Sequence, residues 1–200
     1  MPVVGITGGI ATGKTTFVRT LLRHLPARVF DADQAAHRLL ESDAQVRLDL
    51  RATFGEGVFD TAGVPDRGRI RELVFSDPER RAQLERILHP AIRAIWISES
   101  AECAAAGDWY LVDIPLLFET RAESHFDRVV VVGCSPATQS ARLCHERGLS
   151  NDMAQRIVAA QIDLRIKMAK ADHIIWNDST AAGLDEQASL LSGWLRQRYG

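Results

Sequence analysis

The stretch GITGGIATGKTTF, residues 5–17, restricts the fold of this protein more than any other part of the sequence. Gly8 is followed by four residues and then by Gly13-Lys14-Thr15, which is the spacing of a loop that binds phosphate groups. The apolar run VVGIT before the loop is typical of a buried strand, and the residues after it predict a helix from about Gly13 to His24. A strand, a glycine-rich turn and a helix in this order are the context that such a loop requires.

The chemistry of this loop follows from its glycines and from the helix that it opens. Glycine permits a sharp turn and close approach of backbone N–H groups to phosphate oxygens, and the helix N-terminus adds unpaired N–H groups. Lys14 is expected to reach the β- and γ-phosphates, and the Thr15 hydroxyl is expected to ligate Mg²⁺. We therefore predict binding of ATP or GTP with magnesium. The residues expected at the nucleotide are Gly8, Gly9, Ile10, Ala11, Thr12, Gly13, Lys14, Thr15 and Thr16.

Four further apolar runs predict the other strands of a sheet: ARVF (27–30), WYLVDI (109–114), RVVVVG (128–133) and HIIW (173–176). Nearly continuous hydrophobicity is typical of parallel strands that are covered on both faces. Helical patterns lie between these runs, which predicts an α/β fold of the P-loop NTPase type, with a parallel five-stranded sheet flanked by helices. The expected helices after the first are Asp33–Leu40, Arg67–Phe75, Pro78–Leu88, Pro90–Ala106, Pro136–Glu146, Asn151–Ala169 and Leu184–Arg198.

The composition is that of an ordinary globular domain. Of 200 residues, 46% are hydrophobic and 25% are charged, and the net charge of −2 gives no field that would attract nucleic acid or an anionic membrane. The three cysteines have no metal-ligand spacing, so we expect reduced thiols. The sequence predicts neither a signal peptide nor a run of the roughly 18 apolar residues that a membrane helix needs. We expect a single-domain cytoplasmic protein without a nucleic-acid or membrane partner.

The rest of the chain has to indicate whether the phosphate is hydrolysed or transferred. A GTPase switch needs a guanine-reading Asn-Lys-x-Asp segment, and the nearest analogue, IIWNDST (174–180), lacks the lysine. A motor ATPase usually has four apolar residues followed by Asp-Glu, whereas YLVDIP contains the single Asp113. Transfer to a small acceptor is therefore favoured. A non-enzymatic ATP-dependent regulator is the alternative from another functional class.

A pair of carboxylates follows the second predicted strand. A kinase needs a group that orients the acceptor hydroxyl and takes its proton. Asp31 and Asp33 in VFDADQAAH lie where ligands bind in open α/β sheets, and in extended backbone both would point to one side. Asp33 is thus a candidate base, although an aspartate ahead of a helix is equally expected as its N-cap.

Five segments occur in an order that resembles the dephospho-CoA kinase family. They are GITGGIATGKTT (5–16), FDAD (30–33), LHP (88–90), DIPLLFE (113–119) and KADHIIWN (170–177). The resemblance implies that ATP phosphorylates the ribose 3′-hydroxyl of 3′-dephospho-CoA to give CoA and ADP, with Mg²⁺, as the last step of coenzyme A biosynthesis. Another small P-loop kinase that acts on a nucleoside or nucleoside monophosphate is the alternative.

The resemblance also implies a division of the chain. A core is expected at residues 1–60, 107–138 and 170–200, with a helical acceptor-binding insertion at about 61–106 and a helical lid at about 139–169. The insertion and the lid coincide with the stretches where the sequence has helical patterns and no strand signal.

The resemblance assigns roles to single residues around the nucleotide. Asp33 is placed on the presumed base. Arg142 falls on a lid arginine that stabilises charge on the transferred phosphoryl group or stacks on adenine, with a solvated helix face as its alternative. Lys14 completes the expected catalytic set. Asn177 is expected at adenine, and Asp113 at magnesium or its water shell.

The expected acceptor contacts are Thr7, Asp33, His89, Leu116 and Leu117. Besides Asp33, each of the other four residues has a purely structural alternative. Thr7 could satisfy the turn after the first strand, His89 could mark the start of a helix at the following proline, and the leucines could be core packing.

The phosphate loop departs from the family pattern at Ala11, where the family usually has glycine. Alanine there requires either a negative φ or backbone strain. Thr15 replaces the usual serine and keeps the hydroxyl, so the expected magnesium contact is unaffected. Trp176 stands where an aspartate is common, in the loop expected near adenine.

Overall fold

The computed structural model describes the backbone of residues 1–200 and the side chains of all of them except residues 75 and 76. The chain forms two compact units. Residues 1–30 and 100–200 make up the first, and residues 31–99 make up the second.

The first unit is built on a sheet with strands β1 (Val3–Gly8), β2 (Arg28–Asp31), β3 (Tyr110–Asp113), β4 (Arg128–Gly133) and β5 (His173–Trp176). The five strands are parallel and their order is β2-β3-β1-β4-β5, which confirms the predicted fold class. β1 lies at the centre, and all of its residues after Val3 are buried. A strand covered on both faces needs apolar residues in both, which explains the continuous run VVGIT.

The helices are α1 (Lys14–His24), α2 (Ala32–Ser42), α3 (Ala44–Phe54), α4 (Arg67–Ser76), α5 (Pro78–Ala106), α6 (Pro136–Ala141), α7 (Asn151–Ala159), α8 (Leu164–Ala169) and α9 (Ala181–Tyr199). In the first unit, α1 and α9 pack against one face of the sheet. Phe17 and Leu21 of α1 and Leu195 of α9 are fully buried there with Ile6 of β1. Burial of each such side chain contributes about 1.5–3 kcal/mol, so this core holds α1 against the sheet.

The second unit has its own apolar core. α2, α3, α4 and most of α5 pack around a cluster that includes Leu39, Leu50, Ile70 and Leu88. Residues 31–60 belong to this unit because the apolar faces of α2 and α3 are buried in this cluster. The sequence analysis had placed them with the sheet core. α3 is a helix that the sequence analysis missed.

Helix α5 runs through Pro90, where the sequence analysis expected a break between two helices. Proline lacks an N–H and clashes with the preceding turn, which usually kinks or ends a helix. Apolar residues on both sides of Pro90, Leu84 and Leu88 before it and Ile92 and Ile95 after it, pack into the same cluster. Burial therefore holds both halves in one helix, and the prediction of two helices was wrong.

The segment expected to be the lid is less regular than predicted. The helix predicted over residues 151–169 is interrupted, because α8 starts anew at Asp163, whose Oδ1 accepts a hydrogen bond from the Arg165 N–H. The helix predicted over residues 136–146 consists of α6 and a π-helical turn, Arg142–Glu146. In the part of the chain that the structure describes, no helix is long and apolar enough to cross a membrane.

Candidate active site

The carboxyl ends of four strands meet at one edge of the sheet. Asp113, the last residue of β3, pairs in register with β1, and Gly8 lies beside Val132 of β4. Asn177 follows β5 directly, and its backbone N–H donates to the Gly133 carbonyl at 2.7 Å. The chain leaves β1 toward β2 on one side and leaves β3 toward β4 on the other, which makes this edge the switch point where open α/β sheets bind ligands.

The phosphate loop, residues 8–16, has a backbone shape that requires small residues. Gly13 has a φ of +85°, and a Cβ added to it would lie 2.1 Å from Nδ2 of Asn177. A Cβ on Gly8 would lie 2.5 Å from the carbonyl oxygen of Val132. Ala11 has a φ of +58°, in the left-handed region, so the structure shows strain rather than a negative φ at this departure from the family pattern.

Helix α1 begins at this loop without the side-chain cap that the other α-helices have. Its N-cap is Gly13, and among the side chains that the structure describes none accepts a hydrogen bond there. The first N–H groups of a helix have no partner within it, and the positive end of the helix dipole favours an anion beside them. The capping residues of the other helices are Asp31, Asp43, Asp66, Asp77, Ser135, Ser150, Asp163 and Thr180.

Lys14, the first residue of α1, forms an ion pair with Asp113 between Nζ and Oδ1. The side chains are only 13% and 9% exposed, so water screens their attraction less than at the surface. The pair brings together the residue predicted for the phosphates and the residue predicted for magnesium. Thr15 and Thr16 complete the first turn of α1 and are exposed.

Arg142 and Asn177, which were predicted to contact the nucleotide, both hold the backbone of the phosphate loop. Arg142 Nη1 donates to the Ala11 carbonyl at 3.2 Å, and Nη2 donates to the Asn177 carbonyl at 3.0 Å. Asn177 Nδ2 donates to the Thr12 carbonyl at 2.8 Å. Arg142 opens the π-helical turn after α6, and wide turns of this kind are frequent at functional sites.

Two glutamines that the sequence analysis did not single out contact Ile10 in the same loop. Gln139 Nε2 donates to the Ile10 carbonyl at 2.6 Å, and Gln161 Oε1 accepts a hydrogen bond from the Ile10 N–H at 2.9 Å. Their only sequence signal is that residues 142–168 and their surroundings are rich in arginine and glutamine. The N–H groups of this loop are suited to phosphate oxygens, and Gln161 accepts the hydrogen bond of one of them.

Three of the predicted acceptor residues lie in the first unit. Thr7 is buried and its hydroxyl donates to the Pro115 carbonyl at 3.1 Å, which corresponds to the alternative of satisfying the turn after β1. Leu117 is fully buried, and a Cβ on Gly5 would lie 2.8 Å from its Cδ1, so its position is one of core packing. Leu116 is half-buried.

The second unit contains the candidate base. Asp31 is the N-cap of α2, since its Oδ1 accepts a hydrogen bond from the Gln34 N–H at 2.9 Å. Asp33 lies in the first turn of α2, is exposed, and has no hydrogen bond or ion pair with the residues that the structure describes. The capping role that competed with catalysis at Asp33 therefore belongs to Asp31.

His89, the remaining predicted acceptor residue, lies within α5 in the second unit and is half-buried. Burial lowers the pKa of its imidazole from the ordinary value of 6.5, Arg93 lowers it further, and Glu85 opposes the shift. A lowered pKa keeps this side chain neutral near pH 7.

The donor set fits a magnesium ion. The Thr15 hydroxyl and the Asp113 carboxylate are oxygen ligands, which Mg²⁺ prefers. Within the described residues, no group of three or more His, Cys, Asp or Glu could hold a metal by itself. An ion that takes most of its ligands from phosphates and water needs no such group.

A parallel α/β sheet in which an uncapped helix follows a Gly-x4-Gly-Lys-Thr loop defines a P-loop nucleotide-binding protein. The model of the dephospho-CoA kinase family matches residues 2–183, and the chain belongs to this family. It is therefore a kinase that uses ATP in coenzyme A biosynthesis, and the alternative of a nucleoside or nucleoside monophosphate kinase is not favoured.

Similar proteins cover nearly the whole chain. The dephospho-CoA kinase of Aromatoleum aromaticum is 38% identical over 190 residues, which are 94% of this chain and 91% of that protein. The crystal structure of TT1252 from Thermus thermophilus has a TM-score of 0.80 at 31% identity and covers 100% of this chain and 98% of its own. The dephospho-CoA kinase from Campylobacter jejuni has a TM-score of 0.66 at 26% identity, with 97% of each chain covered.

Proposed function

We propose that this protein transfers the γ-phosphoryl group of ATP to the ribose 3′-hydroxyl of 3′-dephospho-CoA. The 3′-oxygen forms a bond to the γ-phosphorus, the bond from that phosphorus to the β–γ bridging oxygen breaks, and the hydroxyl proton passes to a base, which yields CoA and ADP. The observation that supports this proposal most is the uncapped start of α1, with Lys14 beside it, in a chain of the dephospho-CoA kinase family.

The phosphate loop binds the triphosphate in this proposal. The N–H groups at the start of α1 donate to phosphate oxygens, and the Lys14 ammonium exchanges Asp113 for the β- and γ-phosphates. This exchange makes Oδ1 of Asp113 available to a metal ion. Thr15 and Asp113 are the residues that would hold Mg²⁺, which, when bound, offsets the charge of the β- and γ-oxygens.

Asp33 accepts the proton of the 3′-hydroxyl and orients the oxygen for attack. Two observations support this role: the carboxylate is exposed, and the helix cap is supplied by Asp31 instead. Because phosphoryl transfer passes through a loose transition state, positioning the hydroxyl contributes more than complete removal of its proton.

Arg142 offsets the negative charge on the transferred phosphoryl group. Its guanidinium already lies against the Ala11 carbonyl of the phosphate loop. Residues 139–169 act as the lid that excludes water, which would otherwise compete with the acceptor. Asn177 supports the nucleotide through its contact with Thr12.

We assign the acceptor contacts to Asp33, His89 and Leu116, with Thr7 and Leu117 acting from buried positions behind the site. A neutral His89 can accept or donate one hydrogen bond to the acceptor without adding charge. ATP and 3′-dephospho-CoA are the proposed substrates. The unpaired cysteines, of which Cys103 and Cys134 are buried, are the basis for placing the activity in the cytoplasm.

The test is incubation with ATP, Mg²⁺ and one acceptor at a time from a panel of dephospho-CoA, AMP, CMP and adenosine, with ADP release and product mass as readouts. We expect a gain of one phosphate on dephospho-CoA alone. Transfer to another acceptor instead would contradict the proposed substrate, and nucleotide binding without transfer would favour the regulator. Lys14→Met serves as the control for a contaminating kinase: the product of this protein should disappear in the variant, whereas the product of a contaminant would remain.

A further inference from the structure

Lys167 on α8 is a lysine with no exposed side-chain surface, and neither the sequence analysis nor the proposed mechanism gives it a role. A buried ammonium is costly unless it is paired and fully hydrogen-bonded. Lys167 Nζ lies 2.8 Å from Glu119 Oε1, 3.2 Å from the Pro115 carbonyl oxygen and 3.3 Å from the Gly8 carbonyl oxygen. These three acceptors match the three donors of an ammonium group.

The acceptors come from the two segments that leave the carboxyl ends of β1 and β3. Gly8 is the last residue of β1 and the first of the phosphate loop. Pro115 follows β3 and also accepts a hydrogen bond from the Thr7 hydroxyl at 3.1 Å. Lys167 therefore joins the start of the phosphate loop to the segment after Asp113.

The backbone around Gly8 leaves no room for a side chain. A Cβ on Gly8 would lie 2.5 Å from the Val132 carbonyl oxygen, so the backbone is closely packed on that side. In a trans peptide the C=O and the following N–H point in opposite directions. By holding the Gly8 carbonyl, Lys167 sets the direction of the Gly9 N–H, the first donor inside the loop.

The segment that carries Lys167 touches the loop a second time. Gln161 Oε1 accepts a hydrogen bond from the Ile10 N–H, and the next residue, Ile162, donates its N–H to Glu119 Oε1 at 3.0 Å. Glu119 thus bridges Lys167 and the residue beside Gln161. Its other oxygen, Oε2, is buried and has no hydrogen-bond partner among the residues that the structure describes.

We propose that Lys167, neutralised by Glu119, is a positioning residue for the nucleotide: it orients the first peptide of the phosphate loop and holds residues 161–167 against that loop. It does not touch the reacting atoms. The inference rests on the nucleotide site of the proposed function and is independent of the acceptor. Glu119 compensates the charge, so that the ammonium polarises the Gly8 carbonyl without leaving an unpaired ion in the core.

The experiment compares Lys167→Met, which removes the charge, with Lys167→Arg, which keeps it, and with Lys167→Met/Glu119→Gln, which also removes the orphaned carboxylate. Lys170→Met is the matched control, because Lys170 is a neighbouring lysine that is half exposed and lies 3.8 Å from Glu123. The measurements are the Kd of ADP by calorimetry, the KM of ATP and of dephospho-CoA, kcat, and the thermal midpoint.

We expect Lys167→Met to raise the Kd of ADP and the KM of ATP by about tenfold or more, with the KM of dephospho-CoA within about threefold of the unmodified protein. Lys167→Arg should restore most of the nucleotide affinity. The double variant should melt above Lys167→Met and still bind ADP weakly, because it repairs the unpaired charge but not the contact with Gly8. Lys170→Met should leave the Kd of ADP, both KM values and kcat unchanged.

The inference is overturned if Lys167→Met and Lys167→Met/Glu119→Gln bind ADP within about threefold of the unmodified protein. It is also overturned if Lys167→Arg binds as weakly as Lys167→Met, or if both KM values rise together. If Lys167→Met does not fold, ADP binding by the double variant and by Lys167→Arg supports or overturns the inference in the same way. Because ADP binding needs no acceptor, it separates this inference from the acceptor assignment, which fails only if dephospho-CoA is not phosphorylated.

Discussion

Helices α1 and α2 each follow a strand of the sheet, and only α2 has a side-chain cap for its first turn. α1 follows β1 through a glycine loop and has Gly13 as its N-cap, with no described side chain accepting its N–H groups. α2 follows β2 without a loop and is capped by the Asp31 carboxylate. A cap gives one of the free N–H groups an acceptor within the protein, whereas an uncapped turn keeps all of its donors for water or an external anion.

The two helices differ in where the acceptor for their first N–H groups comes from. This difference distinguishes a helix N-terminus that can bind a ligand from one that is only structural. At α1 no described side chain supplies the acceptor, which leaves these N–H groups to water or a ligand. At α2 the acceptor is Asp31, which leaves the next carboxylate in the sequence, Asp33, available for chemistry. A carboxylate can act as a base toward a hydroxyl only while its oxygen is not engaged elsewhere.

The largest effect should come from Lys14→Met at the uncapped end. Loss of the only ammonium in the first turn of α1 should lower kcat/KM by about 10³-fold, because a positive charge that stabilises the phosphates during transfer is then missing. Steady-state kinetics with ATP as the varied substrate measure it. Arg23→Met, in the exposed last turn of the same helix, is the control and should retain activity. Retained activity in Lys14→Met would contradict the role assigned to the start of α1 in phosphoryl transfer.

The pair Asp33→Asn and Asp31→Ala tests the capped end. Asp33→Asn should lower kcat by about 10²- to 10⁴-fold and leave the Kd of ADP within about threefold, because it removes a base and not a nucleotide contact. Asp31→Ala should cost about 1 kcal/mol of unfolding free energy by loss of the cap, with kcat nearly unchanged. Kinetics and urea unfolding of both variants measure these effects. Turnover within about threefold for Asp33→Asn would end its assignment as the base.

Ala11→Gly probes the strain in the loop at the uncapped end. Left-handed backbone costs an alanine about 1–2 kcal/mol, and glycine removes this cost. Glycine is also more flexible in the unfolded chain, which opposes folding, so we expect a net stabilisation below about 1 kcal/mol. Ala160→Gly is the matched control, because Ala160 has a φ of −75° and should be destabilised by the same change. Thermal unfolding measures both variants. Equal destabilisation of the two would contradict the strain.

The smallest expected effect concerns His89 in the second unit, whose pKa burial lowers below 6.5. As the pH falls below 6.5, the unfolded chain takes up a proton at this residue more readily than the folded protein, so stability decreases. Above that pH both states are neutral and the residue contributes no pH dependence. His89→Gln should therefore flatten the stability profile on the acid side, as followed by urea unfolding between pH 5 and 8. An unchanged profile would contradict the lowered pKa.

Local patterns were sufficient for most of the fold. The apolar runs and the glycine spacing predicted the five parallel strands, the loop and α1, because strand and helix periods and turn residues act over a few neighbours. They failed where burial overruled a local signal, as at Pro90, or where a cap divided a continuous helical pattern, as at Asp163.

In the candidate site, the sequence analysis named the residues of the loop and Asp33, with the N-cap of a helix as the alternative for Asp33; that cap is Asp31. The sequence did not identify Gln139, Gln161 or Lys167. Polar side chains within helical patterns are expected on solvated faces, so nothing in their own neighbourhood marked them.

By itself the sequence determined that this protein has a parallel α/β sheet with a phosphate loop after its central strand, since those features are written in neighbouring residues. Only the tertiary structure decided what supports that loop. The contacts of Gln139, Gln161 and Lys167 with it join residues 129, 151 and 159 positions apart. Such contacts depend on how the helices pack onto the sheet, and packing is set by the burial of the whole core rather than by any local pattern.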